Sequence, residues 1–143
     1  MTSDAHQPHD GGSDSAPWAD LADELAAAGR DLRTLIPEVY RGFAALSRAS
    51  VHHEGALSVK TKELMALVAA VVARCDGCIA AHARGAVRAG ATAAEVAEAL
   101  GVTIQMQGGP GTVYAAKAFA AYREFERNEP TRHDPAQAVE RPD

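Results

Sequence analysis

The chain has 143 residues, of which 47% are hydrophobic but only 5% aromatic, and a formal net charge of -5. That length suits one domain around a single core, and an apolar share supplied largely by alanine favours closely packed helices over a sheet sandwich, so the expected class is all-α. Asp4, Asp10 and Asp14 at one end, with Glu129, Asp134, Glu140 and Asp143 against Arg132 and Arg141 at the other, account for the charge; the near-neutral middle has no basic stripe for phosphates, so neither nucleic acid nor a membrane surface is an expected partner.

Residues 1–16 have almost nothing to bury and read as a disordered tail. They lack the basic and apolar regions of a secretory signal, and the longest apolar run, LMALVAAVVA from Leu64 to Ala73, is too short for a bilayer. The expected location is the cytoplasm. His6 and His9 are given no role, because two histidines in an acidic tail are a weak metal signal.

Residues 17–127 are expected to form one helical bundle of about six helices, since apolar positions recur at three and four rather than at two. Pro17 opens the first helix, with Gly29 as its C-cap, and Pro37 opens the second, IPEVYRGFAALSRA. His52 and His53 fall in a loop, SVHHEGALS, and read as surface residues. In the third helix Leu64, Leu67, Val68, Val71, Val72 and Cys75 share one face, which would set Cys75 on a buried stripe.

After CDGC the pattern restarts with Ile79, His82, Ala83, Ala86 and Val87, which carries His82 towards the core; Arg88 and Gly90 mark the helix end. Thr92 and Glu95 read as a capping box for a fifth helix through Leu100 and Ile104. GGPG at residues 108–111 breaks the chain, and Val113, Tyr114, Ala118, Ala121, Tyr122 and Phe125 mark a last amphipathic helix with its aromatic rings in the core. Pro130, Pro135 and Pro142 punctuate residues 128–143, read as a flexible tail.

In a reducing compartment, two cysteines three apart point to catalysis, redox sensing or metal binding rather than a structural staple. If the fourth helix begins at Asp76 or Gly77, Cys78 sits in its first turn, where unpaired N–H groups and the macrodipole favour a thiolate. Two intervening residues allow Cys75 to close a disulfide. His82, one turn on, shares the face of Cys78 within reach of a contact or one bridging water. Glu63 would lie about 18 Å from Cys75 along a straight helix; if the chain reverses at RCDGC, it approaches the level of His82 and can orient the imidazole, as an orienter serves a base and a base serves a nucleophile.

Each residue also has a plainer reading. The cysteine pair is half of a zinc site, although no second pair completes it. His82 is a satisfied core histidine. Glu63 is a solvated acid in a first helical turn, which from its position alone is the better reading.

Glu63, Cys75, Cys78 and His82 together resemble the E-x11-C-x-x-C-x3-H signature of the alkylhydroperoxidase D-like branch of the carboxymuconolactone decarboxylase family. GAVRAGATAAEVAEAL and GGPGTVYAAKAFAAY extend the resemblance over roughly Leu57 to Phe125. It implies an alkylhydroperoxidase D-like helical fold assembling as trimers or hexamers, with thiol-dependent peroxide reduction or disulfide exchange and no cofactor or metal. Cys78 would attack, Cys75 would resolve the intermediate, and Glu63 with His82 would relay protons. The implied partners are a hydroperoxide and an external dithiol of lipoyl or thioredoxin type. Alkylhydroperoxidase D proper carries a further histidine before the second cysteine, where this chain has Gly77, so its lipoyl-linked reductant does not transfer automatically. Lactone decarboxylases of the superfamily lack the cysteine pair, which argues against decarboxylation. Two alternatives stand beside this reading: a non-catalytic redox- or metal-sensing module, and a small-organic-acid enzyme on the same fold.

Overall fold

The computed structural model describes residues 16–129. Six α-helices and no strand occur among them: α1 Pro17–Leu35, α2 Pro37–Ser50, α3 Val59–Val72, α4 Asp76–Arg88, α5 Ala93–Gln107 and α6 Gly109–Asn128. The expected tails, with His6 and His9, lie outside the described residues, apart from Ala16, Asn128 and Glu129. Asn128 ends α6, and Glu129 accepts from the guanidinium of Arg88 at 2.8 and 2.9 Å.

α1 passes straight through Gly29, correcting the expected C-cap. Glycine inside a helix costs about 1 kcal/mol, too little to outweigh the intrahelical bonds of the segment that follows. The effective stop is Pro37, whose ring disfavours helical backbone at the residue before it; Ile36, at φ -130°, ends α1 and caps α2. The start of α1 is closed from another helix. The buried carboxylate of Glu124 on α6 accepts from the backbone N–H groups of Trp18 at 3.0 Å and Ala19 at 2.9 Å, satisfying donors that a helix start leaves unpaired.

The third helix also departs from expectation. It starts at Ser58, whose hydroxyl accepts from Thr61 N–H at 3.1 Å, and stops at Val72, so Cys75 is outside it and Val72 is 47% exposed. Arg74, at φ 54°, takes the left-handed conformation. Its N–H bonds Val71 O and that of Cys75 bonds Ala70 O, both at 3.1 Å, the double bond of a Schellman end. Hydrophobic periodicity ran on past a stop that no glycine announced. At the end of α4 the same motif uses Gly90, as its sequence foretold, with Ala91 N–H on Ala86 O at 2.9 Å.

Thr92 and Glu95 do form a reciprocal capping box at α5. Its Glu95 carboxylate, held by Lys60 Nζ at 2.6 Å and by Thr92 N–H at 2.7 Å, has its pKa pulled down to about 2. The GGPG break is narrower than expected: only Gly108, at φ 62°, interrupts the helices, while Pro110 sits in the first turn of α6, where its missing N–H is no loss.

The core lies among α3, α4, α5 and α6. Its buried members include Leu67 and Val71, Ile79 and Ala83, Val96 and Leu100, and Ala118, Ala121, Tyr122 and Phe125. Alanine faces let α4 approach α3 and α6 closely. Val113 is the exception on α6, at 60% exposed. The Tyr122 hydroxyl donates to Ala91 O at 2.7 Å, and burial with Glu126 close by pushes its pKa up to about 12. α1 rests on α4 and α6, and α2 packs chiefly on α1; neither contributes a buried residue.

Candidate active site

The reversal at Arg74 delivers Cys75 to the N-cap of α4. Its Sγ accepts from the Cys78 N–H at 3.2 Å, so sulfur does here what a serine hydroxyl does at α3. Cys78 is in the first turn, as expected, and is exposed; Cys75 is half-buried. The two are joined in a disulfide with their Cα atoms 5.2 Å apart.

Between them, Asp76 is neutralised by Lys117, whose Nζ donates to both carboxylate oxygens at 2.7 Å. Without that partner the carboxylate would oppose a thiolate at Cys78; with it, the positive end of α4 is left to act on the sulfur. Gly77 lies under α1. A Cβ there would come 2.7 Å from Leu25 Cδ1, so any side chain at this position would have to displace Leu25.

Glu63 and His82 meet across the α3–α4 pair. The chain does reverse at RCDGC, and Glu63 Oε2 lies 2.8 Å from His82 Nδ1. The reading of Glu63 as a solvated acid in a first turn is overturned: it stands beyond the first turn of α3 and is only 3% exposed. Helix packing decides this, since α4 lays Gly85 over the carboxylate, where a Cβ would fall 2.6 Å from Oε1. A carboxylate is acceptor-only, so the contact assigns the Nδ1 proton to His82 and leaves Nε2 to accept. His82 is half-buried.

Glu63, Cys78 and His82 line one open cleft of about 560 Å³. Its walls include Phe43 of α2 and Arg84 and Arg88 of α4. Arg88 is bonded to Glu129, and its pKa is raised by that partner, so the rim keeps a fixed cation. Sequence reasoning missed one wall residue with chemistry. His52, read as a surface residue, is indeed exposed, yet it lines the cleft with Nε2 4.0 Å from Glu63 Oε1. The only signal for it was a histidine doublet shortly before α3.

Residues 37–121 match the carboxymuconolactone decarboxylase family. The chain belongs to that family. The matched stretch runs from α2 into α6 and holds every cleft residue named above. Three similar proteins illustrate the membership. An uncharacterised protein of Cupriavidus necator is 37% identical over 105 residues, 64% of this chain and 93% of that protein. Uncharacterised protein 4 of the cox locus of Paracoccus denitrificans is 40% identical over 59% of this chain and 75% of its own length. The crystal structure of an apo carboxymuconolactone decarboxylase family protein from Legionella pneumophila superposes with a TM-score of 0.75 at 38% identity, covering 78% of this chain and 99% of that one. The all-helical architecture is therefore that of the carboxymuconolactone decarboxylase family.

Proposed function

We propose that the protein is a thiol-dependent peroxidase or disulfide reductase working through Cys78 and Cys75. The observation that carries this is the bonded cysteine pair at the N-terminus of α4, its second sulfur residue exposed in the cleft that His82 and Glu63 line. In the reduced protein the helix start and the imidazole favour a Cys78 thiolate. His82 Nε2 takes the S–H proton of Cys78, and the thiolate attacks the outer oxygen of a hydroperoxide; the O–O bond breaks, the leaving alkoxide takes that proton from the His82 imidazolium, and Cys78 becomes a sulfenic acid. Cys75 condenses with it, releasing water and forming the disulfide. An external dithiol, of lipoyl or thioredoxin type, supplies two electrons and two protons to reset the pair. Glu63 holds the imidazole in the required tautomer.

Hydroperoxide consumption coupled to dihydrolipoamide or thioredoxin oxidation tests the reading. Cys78→Ser is expected to abolish turnover, and Cys75→Ser to leave a trappable sulfenic acid on Cys78. Turnover that survives Cys78→Ser would refute it. Stoichiometric zinc on protein purified without chelator would favour a metal-holding module instead.

Self-association belongs to the same proposal, as does a cytoplasmic location. Val39, Phe43 and Leu46 lie on one face of α2, each more than 60% exposed at 63%, 65% and 63%, and Phe43 also walls the cleft. Covering that face with a second copy would remove apolar surface and close one side of the site. Sedimentation at micromolar concentration is expected to give a homo-oligomer, a trimer or hexamer; a stable monomer contradicts it.

A further inference from the structure

We propose that His52 is a second general base of this cleft, taking the proton from an incoming thiol of the reductant; the inference rests on the disulfide-reducing half of the function proposed above. Glu63 presents its two oxygens in two directions, Oε2 to His82 Nδ1 at 2.8 Å and Oε1 towards His52 Nε2 at 4.0 Å. A carboxylate behind an imidazole orients the ring and stabilises its protonated form. Here one buried carboxylate stands behind two rings.

The two rings differ in situation. His82 has 30% of its side chain exposed and lies one helical turn from Cys78, whereas His52 has 56% exposed and sits on the loop between α2 and α3. Both line the cleft that holds Cys78. The 4.0 Å separation is about 1 Å beyond a hydrogen bond, a gap that catalytic pairs close when substrate binds. With Nε2 turned to Glu63, Nδ1 is the nitrogen left to accept a proton.

The other charged groups nearby have their own attachments. On the loop, Glu54 accepts from Val59 N–H at 3.3 Å. Lys62 of α3 donates to His53 O at 2.7 Å. Across the cleft, Arg84 and Arg88 are paired with Glu129 at 3.2 and 2.8 Å. Glu63 is the carboxylate that faces His52.

The chemistry supplies the need. An alkyl dithiol is mostly protonated at neutral pH, and only its thiolate attacks a disulfide. His52 takes the S–H proton, and the thiolate attacks Sγ of Cys78, an exposed residue of the cleft. The Cys75–Cys78 bond breaks, and Cys75 departs as a thiolate that receives the proton back. The second thiol of the reductant then attacks the mixed disulfide, releasing Cys78 and leaving the reductant as an intramolecular disulfide. Its second proton passes to the Cys78 thiolate. Two electrons and two protons are thereby transferred from the dithiol to the cysteine pair.

The test follows reduction of the oxidised full-length protein, without peroxide, by dithiothreitol and by a water-soluble trialkylphosphine, comparing wild type with His52→Gln. The phosphine has no S–H proton to lose. His52→Gln is expected to slow the dithiothreitol reaction about 100-fold, with partial rescue by added imidazole, and to leave the phosphine reaction at the wild-type rate. Equal dithiothreitol rates in the two proteins overturn the inference; so does equal slowing with both reductants, which marks a structural effect. If wild type shows no hydroperoxide turnover but the dithiol-specific loss is present, the peroxidase reading falls and the role of His52 stands.

Discussion

In the four helices α3 to α6 and in the pair α1–α2 alike, more than half of the residues are apolar, but the two regions use them differently. Every fully buried residue among those described lies in the α3–α6 region, whereas Leu35, Val39, Phe43 and Leu46 of the pair are exposed at 79%, 63%, 65% and 63%. The first region satisfies itself, helix against helix. The second has apolar faces that the protomer leaves uncovered. The cleft runs along the seam, with Glu63, Cys78 and His82 from the packed region and Phe43 from the other. The packed half thus holds Glu63, Cys78 and His82, and the half with spare apolar surface supplies one wall of their cleft.

Four measurements can break or sharpen this contrast. Leu67 is wholly buried, so Leu67→Ala should cost about 3 kcal/mol in chemical denaturation; Phe43→Ala should stay within about 0.5 kcal/mol if α2 is bare in solution. A larger cost for Phe43→Ala, rising with protein concentration, would show that a second copy covers α2. Next is Gly85→Ala. Its Cβ would push the Glu63 carboxylate off His82, with an expected loss of about 2 kcal/mol and of hydroperoxide turnover; wild-type stability and rate together would mean that the contact is not held in solution.

Gly77→His places a side chain that meets Leu25, the end of a flexible side chain, so the expected cost is smaller, about 1 kcal/mol. Adding Leu25→Ala should recover part of it, and strict additivity in the double variant would show that α1 does not rest on Gly77.

The smallest effect is at Glu95. Its folded-state pKa of about 2 lies below the ordinary 4.5, so the folded state holds fewer protons and the contribution is present above pH 4.5 and lost as pH falls towards 2. Lys60 and Glu95 are more than a third exposed, and solvent screening limits the effect. Glu95→Gln should therefore cost no more than about 1 kcal/mol at pH 7 and nothing near pH 2. A cost independent of pH would assign the effect to the cap hydrogen bonds alone.

What was legible in the sequence was whatever depends on near neighbours. Six helices, the Pro17 and Pro37 starts, the Thr92–Glu95 cap, the Gly90 end and Cys78 in a first turn all follow from contacts within a few residues. The failures have the same logic in reverse. Gly29 looked like a stop, yet one glycine is cheaper to include than a helical turn is to lose. Arg74 did not look like a stop, since a left-handed arginine is uncommon and only the backbone bonds to Ala70 and Val71 reveal it. The burial of Glu63 was not legible either, because the covering residue is Gly85, more than twenty positions away and on another helix.

By itself the sequence determined an all-helical domain with a cysteine pair at a helix start, because helix periodicity, caps and the field at an N-terminus are properties of consecutive residues. Tertiary structure alone decided that Glu63 is buried against His82, that Lys117 cancels the charge of Asp76, that Leu25 occupies the space over Gly77, and that His52 joins the cleft. Those four facts concern groups brought together from separate segments; spacing brought Glu63 near His82 only on condition that the chain reverses at RCDGC, and for the other three pairs no local spacing encodes the distance.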